Sequence, residues 1–130
     1  MCFCNFAKTT VMKKTHENPI ASKSKKFALR VIKLYKYLCS SKGEYVLSKQ
    51  ILRSGTSIGA NVREGIRGQS KADFISKMGI ALKEASESEY WIELLIESDY
   101  LEEAEGESIM SDCQEIIGIL IKIIKTAKSN

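Results

Sequence analysis

The sequence contains one proline and one histidine among 130 residues, and only 8% of its residues are aromatic. An all-β sandwich needs turn residues at short, regular intervals, which a single proline and eight glycines do not provide. No apolar run reaches the roughly 18 residues of a membrane span, because the longest one is interrupted by Gly118 and Lys122. The chain is nevertheless 44% hydrophobic and long enough to bury its own core. These features predict an all-α protein.

Residue types that carry catalysis or bind metals are also scarce. The only histidine, His16, precedes the first predicted helix and cannot serve as a base for a helical nucleophile. Cys2 and Cys4 have no second pair at zinc-finger spacing, and Cys39 and Cys113 are predicted to be small core residues. We therefore expect no enzymatic activity, no cofactor and no metal, and we expect reduced thiols in a cytoplasmic protein.

Four segments show the 3.6-residue hydrophobic period of amphipathic helices. They lie at about residues 22–40, 46–66, 71–98 and 105–126, after residues 1–18, which show no period and are expected to be frayed. Short connections favour an antiparallel up-down-up-down four-helix bundle over residues 19–130. The predicted core rows are Phe27, Val31, Leu34 and Leu38; Leu47, Ile51, Ser54, Ile58 and Val62; Phe74, Met78, Ala81, Ala85, Ser88, Ile92 and Leu95; and Ile109, Cys113, Ile116, Leu120 and Ile123.

The fourth helix has a second apolar row, formed by Met110, Ile117, Ile121 and Ile124. This apolar face is wider than the last helix of a monomeric bundle needs. Extra apolar surface of this kind is typical of contacts between subunits. We therefore expect a homo-oligomer in which Ile121 and Ile124 face a partner.

The charge is unevenly distributed along the chain. Residues 1–77 carry 16 basic and 4 acidic groups, whereas residues 78–115 carry 1 basic and 12 acidic groups. Either basic and acidic helices screen one another, or the basic half binds phosphates. The second hypothesis nominates a row on the first helix, Lys23, Lys26, Arg30 and Lys33, with Lys36, Arg63, Arg67 and Lys71 as secondary candidates. Tyr35, Tyr37 and Tyr45 are weak candidates for base stacking, because no aromatic set at stacking spacing is evident.

The second helix also carries a polar row, namely Arg53, Ser57, Asn61 and Glu64. The second and third helices are expected to be antiparallel neighbours joined by a turn centred near Gln69. The numbers of two residues that face each other across this pair should then sum to about 138. Arg53 would then lie beside Ala85, within reach of Glu84 and Glu87. This row is either a ligand groove or a polar seam that fixes the helix register. We favour the seam, because no base, metal ligand or nucleophile joins the row.

Three motifs follow one another along the chain. They are Gln50-x-x-Arg53-Ser54-x-x-Ser57-Ile58-x-x-Asn61-x-x-Glu64, then Ser70-Lys71-x-Asp73-Phe74, then Ala81-Leu82-Lys83-Glu84-Ala85-x-Glu87-x-x-Tyr90-Trp91. Over about residues 20–125 the chain resembles the bacterial four-helix-bundle proteins encoded within intervening sequences of 23S ribosomal RNA genes. The accessory variability determinant of diversity-generating retroelements belongs to the same group. Gly55, Gly59 and Arg63 depart from the small residues, often alanine, of many relatives.

The resemblance implies an antiparallel four-helix bundle and a ring of five subunits around a central channel. It also implies non-enzymatic work on nucleic acid, either by binding RNA or DNA or by binding a reverse transcriptase. The alternative function is that of a protein-interaction scaffold. In that case the acidic surface of the third and fourth helices, from Glu84 to Glu115, would dock a basic partner.

Overall fold

The computed structural model describes residues 18–130, which form four α-helices and confirm the all-α prediction. They are α1 (Pro19–Lys42), α2 (Leu47–Ile66), α3 (Lys71–Glu97) and α4 (Glu103–Ser129). No helix in this part of the chain combines the length and apolar character needed to cross a membrane.

Residues that lie side by side show how the helices are arranged. The pairs are Ser24–Gly59 and Val31–Gly55 between α1 and α2; Ser54–Ser88 and Glu64–Lys77 between α2 and α3; Ala85–Cys113 and Ile96–Gly106 between α3 and α4; and Lys23–Glu115 and Arg30–Glu105 between α1 and α4. In each interface the numbering rises along one helix as it falls along the other. The helices therefore run up, down, up and down, with α1 and α4 packed less extensively than the other neighbours.

The first helix begins earlier than the sequence predicted. The side chain of Asn18 accepts a hydrogen bond of 3.2 Å from the backbone N–H of Ile20, which caps the helix at its first turn. Pro19 occupies the first position, where the missing N–H has no helical partner in any case. The predicted start at residue 22 is therefore three residues late. The extension expected to be frayed lies, up to residue 17, outside the described residues.

The predicted core rows are buried almost throughout. Phe27, Val31, Ile58 and Leu95 are among the side chains with 1% exposure or less. Three predicted core residues at the ends of the rows are only half-buried, namely Leu47, Phe74 and Ile123. The other members of the four predicted rows are buried.

The connector between α1 and α2 is fixed by its own hydrogen bonds. Gly43 ends α1 in the left-handed conformation, with a φ of 61°, which glycine adopts without strain. The next residue, Glu44, is only 7% exposed. Its carboxylate accepts hydrogen bonds from the backbone N–H groups of Val46 and Leu47 (2.7 and 2.9 Å) and so caps α2.

The predicted register between α2 and α3 is wrong by about one helical turn. Glu64 pairs with Lys77 at 3.5 Å, and Ser54 contacts Ser88, so facing numbers sum to about 142 rather than 138. The connector is not symmetric about its centre. The extended backbone of Ser70 carries the first turn of α3 beyond the end of α2, which shifts every pairing between the two helices.

Candidate nucleic-acid interface

The predicted phosphate-binding row on α1 lies beside the acidic half of α4. Arg30 forms ion pairs with Glu105 (2.9 Å) and Asp112 (2.8 Å), and it also donates a hydrogen bond to Ser108 Oγ at 2.8 Å. Partial burial opposes the charge of Arg30, but the bonds to Glu105 and Asp112 outweigh it and raise the pKa of this guanidinium. Its hydrogen-bonding groups are directed at α4 rather than towards solvent.

The other members of this row divide into paired and unpaired cations. Lys23 forms an ion pair of 2.6 Å with Glu115. Lys26 and Lys33 are exposed and make no ion pair with any residue in the described range 18–130. Screening between basic and acidic helices therefore accounts for half of the row.

A cleft of about 580 Å³ opens where α1 and α4 are least closely packed. It is lined by Arg30, Lys33, Leu34, Tyr37, Leu101, Glu102, Glu105 and Ile109. Two cations and two carboxylates surround an apolar floor, so the net charge of the cleft does not favour an anionic ligand.

A second set of cations lies on the solvent face of α2. We define the α2 cationic row as Lys49, Arg53, Arg63 and Arg67, all of which are exposed. With Thr56 and Ala60 they recur at steps of three and four residues, which places them along one side of the helix. None of the four cations is ion-paired with a residue of the described structure. The nearby carboxylate of Glu64 pairs with Lys77 instead.

The centre of the α2 cationic row is lined by small residues. A shallow groove of about 200 Å³ runs between α1 and α2, and it is bordered by Ala21, Lys25, Ala28, Thr56, Gly59, Ala60 and Arg63. An exposed cation from each helix therefore flanks a surface with little side-chain bulk. Lys36 on α1 and Lys71, at the first position of α3, are also exposed. The lining of this groove includes no acidic side chain, so a polyanion can approach it closely. At the end of α2, Glu64 and Asp73 lie beside Arg63 and Arg67.

The predicted polar seam between α2 and α3 is not present as a cross-helix network. Arg53 is exposed and forms no ion pair with Glu84, Glu87 or any other described residue. Ser57 and Asn61 instead bond within their own helix: Ser57 Oγ donates to the carbonyl of Arg53 at 2.7 Å, and Asn61 Nδ2 donates to the carbonyl of Ser57 at 2.9 Å. Glu87 accepts a hydrogen bond of 3.3 Å from Trp91 Nε1, also within one helix. Of the row, only Glu64 reaches α3, through its ion pair with Lys77.

The thiol of Cys113 is buried and is not poised to act as a nucleophile. Burial, together with the nearby charges of Glu89 and Asp112, raises its pKa to about 12, so the thiol is protonated at neutral pH. Its Sγ donates a hydrogen bond of 3.3 Å to the carbonyl of Ala85. Within residues 18–130, no three side chains of metal-binding type cluster together. The predictions about Cys2, Cys4 and His16 concern residues outside that range.

The fold and its surfaces define a four-helix bundle with one strongly cationic helix face. The profile of the 23S rRNA-intervening sequence protein family matches residues 16–122, and the chain belongs to that family. It is also similar to a crystal structure of a protein of unknown function from the S23 ribosomal protein family of Bacteroides thetaiotaomicron. The two share 56% identity with a TM-score of 0.82, over 83% of this chain and 96% of the other. No curated protein matches the chain.

Three residues of importance were not predicted from the sequence. Lys25 and Lys49 belong to the cationic face, and Glu44 fixes the connector. The helical spacing of Lys49 with Arg53, Arg63 and Arg67 was visible in the sequence. Glu44 had no such signal, because its burial depends on the turn at Gly43.

Proposed function

We propose that this protein is a non-enzymatic, cytoplasmic and oligomeric helical bundle that associates with RNA or DNA. In this proposal the α2 cationic row contacts phosphates, with Lys25 and Lys36 of α1 alongside it. Contacts of this kind supply affinity without sequence preference. A nucleic-acid-processing protein such as a reverse transcriptase is a further candidate partner, on the resemblance of the sequence alone.

One observation carries the proposal. The four cations of the α2 cationic row are exposed and unpaired among the described residues, whereas Lys23 and Arg30 are held by carboxylates of α4. An intramolecular ion pair must be broken before such a cation can bind a phosphate. The free row therefore provides the greater affinity per side chain. Membership of a family named for 23S rRNA intervening sequences agrees with a role near nucleic acid.

The test compares two quadruple variants with the same change in charge. In the first, Lys49, Arg53, Arg63 and Arg67 are replaced by Gln; in the second, Lys23, Lys26, Arg30 and Lys33 are replaced by Gln. Binding to a 20-nucleotide RNA and to a duplex DNA is measured by fluorescence anisotropy over a salt series. The first variant should flatten the plot of log affinity against log salt by about 0.7–0.9 for each phosphate that is no longer neutralised. The second variant should flatten the same plot by roughly half as much or less, because two of the cations that it removes are already paired with carboxylates of α4.

Equal effects of the two variants would contradict the assignment to α2. Unchanged binding in both would contradict nucleic-acid association through either face. Because all eight side chains are at least partly exposed, thermal unfolding of each variant provides the check that the bundle remains folded.

The oligomeric part of the proposal concerns α4. Ile121 is 51% exposed, and its row-mates Ile117 and Ile124 are only half-buried in the described chain. Replacing Ile121 and Ile124 by Glu should dissociate the assembly, for which the resemblance favours five subunits. Light scattering at micromolar concentration measures the mass of both proteins. A monomeric wild-type protein would overturn this part.

The alternative is a scaffold that docks a basic partner on its acidic surface, and the structure gives it less support. Three of the acids concerned, Glu105, Asp112 and Glu115, already pair with α1. A basic partner would therefore have to compete with Lys23 and Arg30.

A further inference from the structure

The connector between α1 and α2 is rigid. Besides the bonds of its carboxylate to α2, Glu44 donates its backbone N–H to the carbonyl of Leu38 at 2.9 Å. Its own carbonyl accepts a hydrogen bond of 2.9 Å from Ser48 Oγ. The backbone is thus tied to the end of α1 and to the start of α2, and the residues after Glu44 have little freedom to turn inwards.

Two apolar side chains project from this rigid connector into solvent. Tyr45 is 57% exposed and Val46 is 72% exposed, the two highest values among the large hydrophobic residues of the described chain. The pair follows directly on Glu44, which is buried. Leaving apolar area in water forgoes roughly 25 cal/mol for each Å² that could be buried. The fixed backbone keeps both side chains available to a ligand, since neither can turn into the core.

The charge around this pair favours an anionic ligand. Lys42 and Lys49 are exposed on either side of it, and Glu44, the only carboxylate of the connector, is occupied in capping α2. Val46, Lys49 and Arg53 follow one another at steps of three and four residues. The apolar pair therefore lies at the end of the α2 cationic row and continues the same surface.

We propose that Tyr45 is a base-stacking residue, which binds an unpaired nucleobase of a nucleic acid whose backbone follows the α2 cationic row. Val46 packs against the same nucleotide. The ligand is then an RNA or DNA with a single-stranded segment, or a duplex that ends in one, rather than a continuous duplex. This inference rests on the proposed function, because the phosphates must be held on α2 for the base to reach Tyr45.

The chemistry of the surface supports a base over a protein side chain. Every nucleobase presents a flat π-face, and stacking on a tyrosine tolerates any sequence, in keeping with a row that contacts phosphates alone. The cations on both sides repel a basic protein. An acidic protein with an aromatic anchor is the remaining competitor, and the experiment distinguishes it from a nucleic acid.

Two RNA probes test the inference. One is a blunt duplex of 16 base pairs, and the other is the same duplex with a six-nucleotide 3′ extension. The protein variants are Tyr45→Ala, Tyr45→Phe and, as the matched control, Tyr90→Ala. Tyr90 has a similar exposure of 53% but lies on α3, against the ring of Trp91.

The expected result is a selective loss of affinity for the extended probe. Stacking is worth roughly 1–3 kcal/mol per base, so Tyr45→Ala should weaken binding of the extension about 5- to 140-fold. The salt dependence should be unchanged, because the protein still neutralises the same phosphates. Tyr45→Phe and Tyr90→Ala should bind like the wild-type protein.

Unchanged affinity of Tyr45→Ala for both probes would overturn the inference and leave the connector as a surface for a protein. An equal loss on both probes would overturn it as well, since Tyr45 would then contact the duplex. Neither outcome touches the proposed function, which the α2 quadruple variant tests separately through its salt dependence. Because Tyr45 is mostly exposed, an unchanged unfolding temperature is expected of Tyr45→Ala and is checked in parallel.

Discussion

The hydroxyl oxygens of Ser54 and Ser88 lie 2.9 Å apart and share a hydrogen bond across the buried interface of α2 and α3. Ser88 has a second partner, since its hydroxyl also contacts the carbonyl of Glu84 at 2.9 Å. Ser54 has no other hydrogen-bond partner in the described structure. The pair therefore fixes the register of the two helices, and its two members are not equivalent.

The two serines should differ in what their removal costs. Ser88→Ala leaves the hydroxyl of Ser54 buried without a partner, which should lower the free energy of unfolding by roughly 1–3 kcal/mol. Ser54→Ala leaves Ser88 bonded to Glu84 and should cost only about 0.5–1.5 kcal/mol. The double variant should be less destabilised than the sum of the two. Urea unfolding measures all four proteins, and a larger loss in Ser54→Ala than in Ser88→Ala would contradict the assignment.

Periodicity predicted most of the core, although Ile20, Ala21 and Leu101 are buried outside the predicted rows. Ser54 and Ser88 were placed in the core rows despite their polarity, because they occupy core positions between apolar residues four and three apart. The helix start at Pro19 was not predicted, because the hydrophobic period begins later in the chain and does not show that the side chain of Asn18 caps the helix.

The relative position of two helices was harder to predict than the face that each buries. The register between α2 and α3 depends on how the residues 67–70 cross from one helix to the other, and extended backbone at Ser70 shifts it by about one turn. The predicted position of Arg53 beside Glu84 and Glu87 depended on this register and is therefore wrong as well. Charge alone could not show which cations are free, because the pairing of Arg30 with Glu105 depends on how α4 packs against α1.

A buried and an exposed glycine should respond oppositely to alanine. A Cβ at Gly55 would lie 2.8 and 2.9 Å from the methyl groups of Val31, which is fully buried and cannot move away. Gly55→Ala should therefore lower the free energy of unfolding by about 1–3 kcal/mol through overpacking. A Cβ at Gly79 meets nothing within 4 Å, so Gly79→Ala should raise stability by about 0.4–1 kcal/mol. Thermal unfolding of both variants checks the signs, and a stabilised Gly55→Ala would show that the contact between α1 and α2 is looser than observed.

The carboxylate of Glu44 should be needed for the stability of α2. Glu44→Ala removes the acceptor for the first N–H groups of the helix, and loss of such a cap costs about 0.5–2 kcal/mol. Glu44→Gln keeps one acceptor oxygen and should lose less. Hydrogen exchange at Val46, Leu47 and Ser48 gives the local measurement. Protection that is unchanged in Glu44→Ala would indicate that the cap contributes little.

The ion pairs between α1 and α4 should differ in strength. The Arg30 side chain is 26% exposed and has two carboxylate partners, whereas the Lys23 side chain is 42% exposed and has one. Arg30→Gln should lower the free energy of unfolding by about 1 kcal/mol at low salt, and Lys23→Gln by under about 0.5 kcal/mol. Both effects should shrink in 1 M salt, where charges are screened within about 3 Å. An effect of Arg30→Gln that is independent of salt would indicate that packing of the side chain, rather than its charge, holds α4.

The thiol of Cys113 should make the bundle less stable at alkaline pH. Its pKa is raised by burial to about 12 in the folded protein, whereas the pKa of a thiol in an unfolded chain is about 8.5. Above about pH 8.5, the unfolded chain loses the thiol proton while the folded chain keeps it. The contribution of the neutral thiol to the free energy of unfolding is therefore fully present below about pH 8.5, and it decreases as the pH rises towards the pKa of the folded protein. By pH 10 the loss should reach about 2 kcal/mol, because each pH unit corresponds to about 1.4 kcal/mol once the unfolded thiol is ionised. Cys113→Ala lacks this contribution, and the two proteins are otherwise identical in sequence. The gap in unfolding free energy between wild type and Cys113→Ala should therefore narrow between pH 8 and pH 10 in urea titrations, and parallel curves would show that the thiol is less buried than its contact with Ala85 indicates.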